Sequence, residues 1–279
     1  MEAHDAAIAN AHTQAHVAWV ANARMYAVTP AVSALWERLF AWLASEAALP
    51  LAVVAHAAPL PLPALWTRAD LGCAFMCGYP WSTWNDARHE QPALIAAPVP
   101  SPARYRAIPA YCTDIVVRAD ARHASLDDLR GTRFGYTSLH SQSGYRATRD
   151  LIASRENESG GWFGAVVGPL QTPRAIVDAV VDGRIDAGPL DSYWHDLLWL
   201  HEPWTAARLR TIASTPMTAI PPLVASATLG TALRERLSVA LERVAAHREL
   251  DDLRSGLLLR GFVRVHPDAY SPLSDSGSR

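Results

Sequence analysis

Between Arg133 and Leu200 the chain repeats one short unit, an apolar run, a tight link and a helical pattern, and few architectures accept that order. Arg133-Phe134-Gly135-Tyr136 leads into the turn Thr137 to Gly144 and a helical stretch from Tyr145 to Ser154. Ala165-Val166-Val167 leads to Thr172-Pro173, a cap residue followed by a first-turn proline, and Ile176, Val177, Val180 and Val181 then share one face until Gly183 stops the helix. Ile185-Asp186-Ala187-Gly188 runs into Asp191-Ser192, which caps a helix through Leu200. Strands and helices alternating over such short links predict a mostly parallel sheet flanked by helices, an α/β fold.

The first of these links is unusual in composition. Thr137-Ser138-Leu139-His140-Ser141-Gln142-Ser143-Gly144 places four hydroxyls and a glycine within eight residues at a predicted helix start. The first N–H groups of a helix lack partners and carry the positive end of its dipole, so such a turn can hold an anion. Hydroxyl donors and a glycine that lets the backbone come close suit a phosphate, phosphonate, sulfonate or carboxylate. Two readings fit the stretch by itself: Ser141 or Ser143 caps the helix and nothing more, or the cap also serves a ligand.

At 279 residues, half of them hydrophobic, the chain is long enough for one large domain or two medium ones with real cores. A net charge of -2 and the absence of any basic stripe or basic-aromatic run exclude a nucleic-acid footprint. Cys73, Cys77 and Cys112 cannot all pair and lack the companions of a zinc site, so they read as small buried residues, with neither a metal nor another cofactor expected. Met1–Val20 carries Glu2, Asp5 and histidines where a secretion signal would have a basic segment and an apolar core, which leaves the chain cytoplasmic as it stands. The Ala-rich segments are interrupted too often to span a bilayer, and no direct membrane insertion is expected.

Outside the central region the spacing predicts a strand from His16 to Met25-Tyr26, a helix from Ala31 to Glu46, and strands at Leu51–Val54, Leu71–Met76 and Ala93–Ala97. A turn is expected at Cys77–Trp81 and a short helix around Leu65-Trp66, and strand character returns at Thr113–Val117 after a proline-rich passage. Further strands are expected at Leu209–Ala213, Leu223–Ala225 and Gly261–Val265, with helices at Leu233–Val244 and Leu253–Leu259, a polar loop at Asn157–Gly161, and a frayed tail from Ser271.

Several segments, taken in order, resemble one family. Met25-Tyr26, Cys77-Gly78-Tyr79-Pro80, Ile115-Val116-Val117-Arg118, Asp127-Asp128-Leu129-Arg130-Gly131, Ser141-Gln142-Ser143-Gly144-Tyr145, Gly183-Arg184-Ile185-Asp186-Ala187 with Asp191-Ser192, and Gly261-Phe262 are similar to the phosphate/phosphonate-type ABC-transporter substrate-binding proteins. The resemblance runs from about Ala21 to Tyr270. It implies the type II periplasmic-binding-protein fold, two α/β lobes joined by two crossing segments with the ligand between them. The expected division is 1–112 with 208–279 in the first lobe and 113–207 in the second. The crossings would fall at Tyr111-Cys112-Thr113 and at Ala206–Ala213.

By this resemblance Thr137, Ser138, Ser141, Ser143 and Gly144 contact the anionic group, with His140 as a further donor. Tyr26 and Tyr79 would wall the opposite lobe, with a half-buried core aromatic as the alternative for each. Asp191 would accept from a ligand amine or hydroxyl, or else only cap its helix. Gly168-Pro169-Leu170 departs from the Gly-Ser-His that many relatives carry after the corresponding strand, so one polar ligand contact is missing. Trp81 and Trp84 point instead to a partly apolar or aromatic molecule.

The implied function is non-catalytic capture of a small anionic or zwitterionic solute, with ABC-transporter membrane subunits as partners. The alternative implied by the fold is a cytoplasmic enzyme of the menaquinone- or thiamine-pathway type, for which Asp191 with His140 is the sole candidate pair in the sequence. A third reading is a ligand sensor that docks on another protein. The family is usually periplasmic, which sets it against the missing export signal.

Overall fold

The computed structural model describes residues 18–153 and 161–275, so the leader reading of Met1–Val20, the loop Asn157–Gly161 and the end of the tail lie wholly or partly outside it. Strand β1 (Trp19–Asn22) stops earlier than its apolar pattern. The Asn22 side chain donates to Val54 O (2.8 Å) and accepts the Arg24 N–H (2.8 Å), which bends the chain into a tight turn over Arg24–Tyr26. Helix α1 (Pro30–Glu46) starts where Thr29 Oγ1 accepts the Val32 N–H at 3.2 Å. Its Val32, Trp36, Leu39, Phe40 and Leu43 form one buried stripe against the sheet.

There follow β2 (Leu51–Val53), α2 (Leu62–Trp66), β3 (Leu71–Phe75) and α3 (Gly78–Ser82), the last a short helix where a turn was expected. Strand β4 (Ala93–Pro100) continues through Pro98 and Pro100, beyond its expected end. Its partner on one side stops pairing at Ala96, so past that point the missing proline N–H groups need break no ladder bond. Next come β5 (Ala110–Tyr111), β6 (Thr113–Arg118), β7 (Arg133–Gly135), a π-helical turn over Gln142–Arg146 and α4 (Ala147–Ala153). The middle closes with β8 (Ala165–Val167), α5 (Pro173–Val181), β9 (Ala187–Asp191), α6 (Ser192–His201) and α7 (Pro203–Ala206). Thr172 caps α5 by accepting the Ala175 N–H at 3.1 Å, and Gly183 leaves it at φ +70°, a left-handed conformation natural to glycine. The remainder is β10 (Leu209–Ser214), β11 (Thr218–Ala219), β12 (Leu223–Ala225), α8 (Thr231–Arg243), α9 (Asp251–Gly256), β13 (Leu259–Val263) and α10 (Ser271–Asp275).

These strands form two sheets and a bridge between them. The first lobe holds a six-stranded sheet in the order β13-β4-β12-β3-β1-β2, and the second a five-stranded sheet in the order β10-β6-β9-β7-β8. The two-stranded pairing of β5 with β11 ties the crossing segments together, Thr218 opposite Tyr111. The fold is the expected two-lobed, mixed α/β architecture, but neither sheet is mostly parallel as expected. β12 and β13 pair antiparallel with their neighbours in the first sheet, and β6 pairs antiparallel with both β9 and β10 in the second. β6 and β12 enter directly from the crossing strands β5 and β11 instead of following a helix. The boundary at 208 is corrected: β10 pairs antiparallel with β6 from Leu209 opposite Arg118 to Ser214 opposite Asp114, so it belongs to the second sheet and the return crossing follows Ser214. The tail is corrected too, because Ser271–Asp275 is helical and Leu273 is buried against Gly78.

Contacts beside the bridge also hold the lobes together. Tyr26 sits edge-on to Phe75 of the first lobe (4.8 Å) and to Tyr193 of the second (4.9 Å), joining both cores. Near the crossings Asp114, 1% exposed, accepts from Arg104 Nη1 (3.0 Å) and Ser214 Oγ (2.8 Å) and lies 3.0 Å from His195 Nδ1. Burial pushes its carboxyl up, but His195, Arg104 and Ser214 outweigh it and hold it below the usual carboxylate range.

Candidate functional site

Strands β1, β2 and β3 run parallel in one sheet, and β7, β8 and β9 in the other. Their carboxyl ends open on a single cleft, as expected of parallel α/β sheets. The cavity has a volume of about 930 Å³. The first lobe lines it with Asn22–Met25, the Val53–Pro63 loop, Cys77 and Thr83–Asp86, and the second with parts of Thr137–Gly144, Pro169, Gln171–Arg174, Pro189 and Asp191.

Seven of the nine residues singled out from the sequence are on this wall: Thr137, Ser138, His140, Ser141, Ser143, Gly144 and Asp191. The turn is built by hydrogen bonds within itself. Thr137 N–H donates to Gly144 O (3.1 Å), and Ser141 N–H to Ser138 O (3.1 Å). Ser141 Oγ caps the following helix by accepting the Gly144 N–H at 3.0 Å, and Ser138 Oγ accepts the His140 N–H at 3.3 Å. A hydroxyl has one hydrogen to give, and one that has already accepted a backbone N–H keeps that hydrogen for another acceptor. Both serines thus combine a capping role with a donor on the cleft wall. Gly144 is needed for closeness: a Cβ there would stand 1.8 Å from Thr137 Oγ1 and 2.8 Å from Ser141 Oγ. Ser143 is tied to the crossing segment, its carbonyl accepting from Thr113 Oγ1 at 3.3 Å.

Tyr26 and Tyr79 are not on the wall, contrary to the expectation from resemblance. The Tyr26 ring turns into the interlobe core, 1% exposed, and its hydroxyl donates to Asp191 Oδ2 at 3.1 Å. It acts on the cleft through Asp191. Tyr79 lies under the Arg146 guanidinium of the other lobe, 4.3 Å from the ring centre, and forms an interlobe contact outside the cavity. Trp81 is also removed from the cleft, since it is buried beside Tyr270 (5.4 Å) with its indole N–H on Pro92 O (2.9 Å). Trp84 does line it.

Asp191 is both a cap and a wall residue. Its Oδ1 accepts the N–H groups of Tyr193 (2.9 Å) and Trp194 (3.1 Å). Burial pushes its carboxyl up to about 7, against the downward pull of the Trp194 and Tyr193 amides and the Tyr26 hydroxyl. Its hydrogen-bond partners do not include His140, which is exposed, so the one acid-base pair considered from the sequence does not form. The floor also carries Cys77, whose sulfur accepts the Gln142 N–H across the lobes at 3.4 Å and whose thiol burial pushes up to about 11.

Other wall residues escaped the sequence reading. Arg24 is a cleft arginine with no carboxylate partner among the described residues, its Nη1 donating to Leu60 O. Arg174, by contrast, is neutralised by two 2.9 Å bonds to Glu202. Trp36, Trp66, Trp194 and the Val53–Pro63 loop complete the apolar side. The signal for the loop was available: it follows a parallel strand at its carboxyl end, where the ligand sits in such sheets. Pro169 lines the cleft just after the end of β8 and supplies no N–H.

The family model for the periplasmic substrate-binding proteins of ABC phosphonate transporters matches residues 25–270. The chain belongs to this family. Members of the family are periplasmic, and among the described residues no helix is long and apolar enough to cross a membrane. The fold is shared with a binding-protein component of an ABC phosphonate transporter from Pseudomonas aeruginosa, 17% identical, with a TM-score of 0.77 over 93% of this chain and 86% of that one. It is shared equally with PhnD1 from Prochlorococcus marinus in complex with methylphosphonate, 16% identical, TM-score 0.76, covering 93% and 97%. A Xanthomonas citri protein bound to ATP is 15% identical, with a TM-score of 0.65 over 93% and 96%. The search of curated proteins gave no match. As a family member with a single large interlobe cleft among its described residues, the chain is a solute-binding protein of the ABC-transporter type.

Proposed function

We propose that this family member seats the oxyanion of its solute in the Thr137–Gly144 turn and hands it to transporter membrane subunits unchanged. The observation that carries the reading is the doubled use of Ser138 and Ser141: each accepts a backbone N–H of its own turn (3.3 and 3.0 Å), keeps its hydroxyl hydrogen for another acceptor, and lines the cleft. Arg24 adds positive charge to the same cavity, and the Asp191 carboxyl, raised by burial to about 7, is about half protonated near pH 7, which reduces its repulsion of the bound anion relative to an ordinary carboxylate. Closure of two lobes about the β5–β11 bridge gives a receptor its two states, and the solute favours the state in which it touches both walls. The family supports delivery to membrane subunits and gives none to the enzyme alternative. The sequence expectation of a cytoplasmic chain and the periplasmic habit of the family part company, and cell fractionation separates them.

The test is calorimetric titration with methylphosphonate. A hydrogen bond from a hydroxyl to a charged group contributes about 1.5–3 kcal/mol, so Ser138→Ala or Ser141→Ala should each weaken binding by roughly 10- to 150-fold. Arg24→Gln should weaken it further at low salt than at high salt. Unaltered affinity in both serine variants, with the fold intact by circular dichroism, refutes the turn as the anion seat. Recovery of the ligand unchanged after prolonged incubation is the expected sign of a receptor.

A further inference from the structure

The cavity is far larger than an oxyanion needs. A phosphonate head has the bulk of about five waters, or roughly 150 Å³ at about 30 Å³ each, whereas the cleft offers about 930 Å³. That volume lies at the top of the range, about 300–1,000 Å³, of pockets that enclose drug-sized molecules. The surplus is on the side of the first lobe, along the carboxyl end of β2 and the loop after it.

Glu37 and Asn85 also line this side, but most of its remaining surface has little to offer a polar ligand. The indole N–H groups of Trp36, Trp66 and Trp84 are spent on Tyr26 O (3.1 Å), Phe75 O (2.9 Å) and His89 O (3.1 Å), so each presents only carbon and ring edge or face. Pro59, Pro61 and Pro63 have no N–H to give. Arg24 donates to Leu60 O through one of its five N–H groups, leaving its charge for the anionic head, and His56 Nε2 lies 2.9 Å from Pro61 O, so both side chains also fasten the loop. Asp86 is occupied by the Arg88 N–H (2.8 Å) and His89 (2.9 Å). Val53 and Leu60 meanwhile remain 44% and 51% exposed, apolar surface that a ligand could cover.

We propose that the Val53–Pro63 loop with Trp66 and Trp84 forms a second, apolar subsite, and that the solute is an amphipathic oxyanion, an anionic head carrying an uncharged alkyl or aryl body. The proposal rests on the serine turn as the seat of the head and extends it to the rest of the molecule. The head binds the second lobe and the body the first, so a ligand of this class spans the cleft, which a bare oxyanion does not. Selectivity among oxyanions then comes from the body: removing apolar surface from water favours longer chains by about fourfold per buried methylene.

The experiment is a titration series of methyl-, propyl-, butyl-, hexyl- and phenylphosphonate against the whole protein. The expected result is an affinity gain of at least tenfold from methyl to butyl, with phenyl also above methyl. Trp84→Ala should reduce the butyl-to-methyl ratio. Leu60→Ser should do the same, and its half-exposed side chain makes unfolding no explanation. Methylphosphonate binding that weakens in Ser141→Ala, combined with a flat or falling wild-type series, overturns the subsite and leaves the anion seat standing. Failure of every phosphonate to bind overturns both.

Discussion

Replacing Asp191 by asparagine should change how stability depends on pH. The folded carboxyl titrates at about 7 because it is buried, against an ordinary 3.8 in the unfolded chain. Between those values the folded protein holds a proton that the unfolded chain has released, so stability falls as pH rises from about 4 to about 7 and levels off above. Roughly three units at about 1.4 kcal/mol each make this loss about 4 kcal/mol in the ligand-free protein. Asparagine keeps an oxygen for the Tyr193 and Trp194 amides, remains a good cap, and cannot ionise. Urea denaturation of both proteins from pH 5 to pH 8.5 should therefore show the variant's advantage over wild type growing by about 3 kcal/mol from the acid to the alkaline end. Other titrating groups are common to both and cancel in the difference. Parallel stability curves would refute the reasoning, because they would mean that the carboxyl is ionised throughout. Binding adds a second readout from the same pair. A sulfonate keeps its charge over this range, so its affinity for wild type should drop above pH 7, by up to tenfold per pH unit, and stay level in the variant. A ligand whose ammonium group meets Asp191 should behave in the opposite sense.

Gly144→Ala should damage the turn directly, since the new methyl would overlap Thr137 Oγ1 at 1.8 Å; a loss of about 1–3 kcal/mol by thermal or urea denaturation is expected, with phosphonate affinity lost alongside. Asp114→Ala would leave Arg104 and His195 without their shared buried carboxylate, and a destabilisation of about 3–5 kcal/mol is expected in the same assay. An Asp114→Ala protein as stable as wild type would show that the cluster beside the crossings is not a stabilising latch.

Features that depend on bonds between near neighbours were legible without coordinates. Thr172-Pro173 starts α5, Asp191 caps α6 and Ser141 caps the turn through contacts two or three residues away, so residue type and spacing suffice. The alternation of strand and helix pointed to an α/β architecture for the same local reason. The parallel core of each sheet, β1 to β3 and β7 to β9, follows it, whereas the antiparallel direction of β6, β10, β12 and β13 did not show in the pattern. What a residue meets across the chain was not legible. Nothing in Leu209–Ser214 says that its partner is β6, more than ninety residues back in sequence, and the lobe boundary moved accordingly. The sequence reading carried the first strand on to Tyr26, where the chain in fact turns after Asn22, and the direction of the Tyr26 ring is decided by Phe75 and Tyr193, which leave it a place in the interlobe core. Residue order alone therefore determined most of the elements, their caps and the hydroxyl-rich turn Thr137–Gly144. Only the tertiary structure decided which walls face each other, because burial and side-chain direction are set by neighbours brought together from distant parts of the chain.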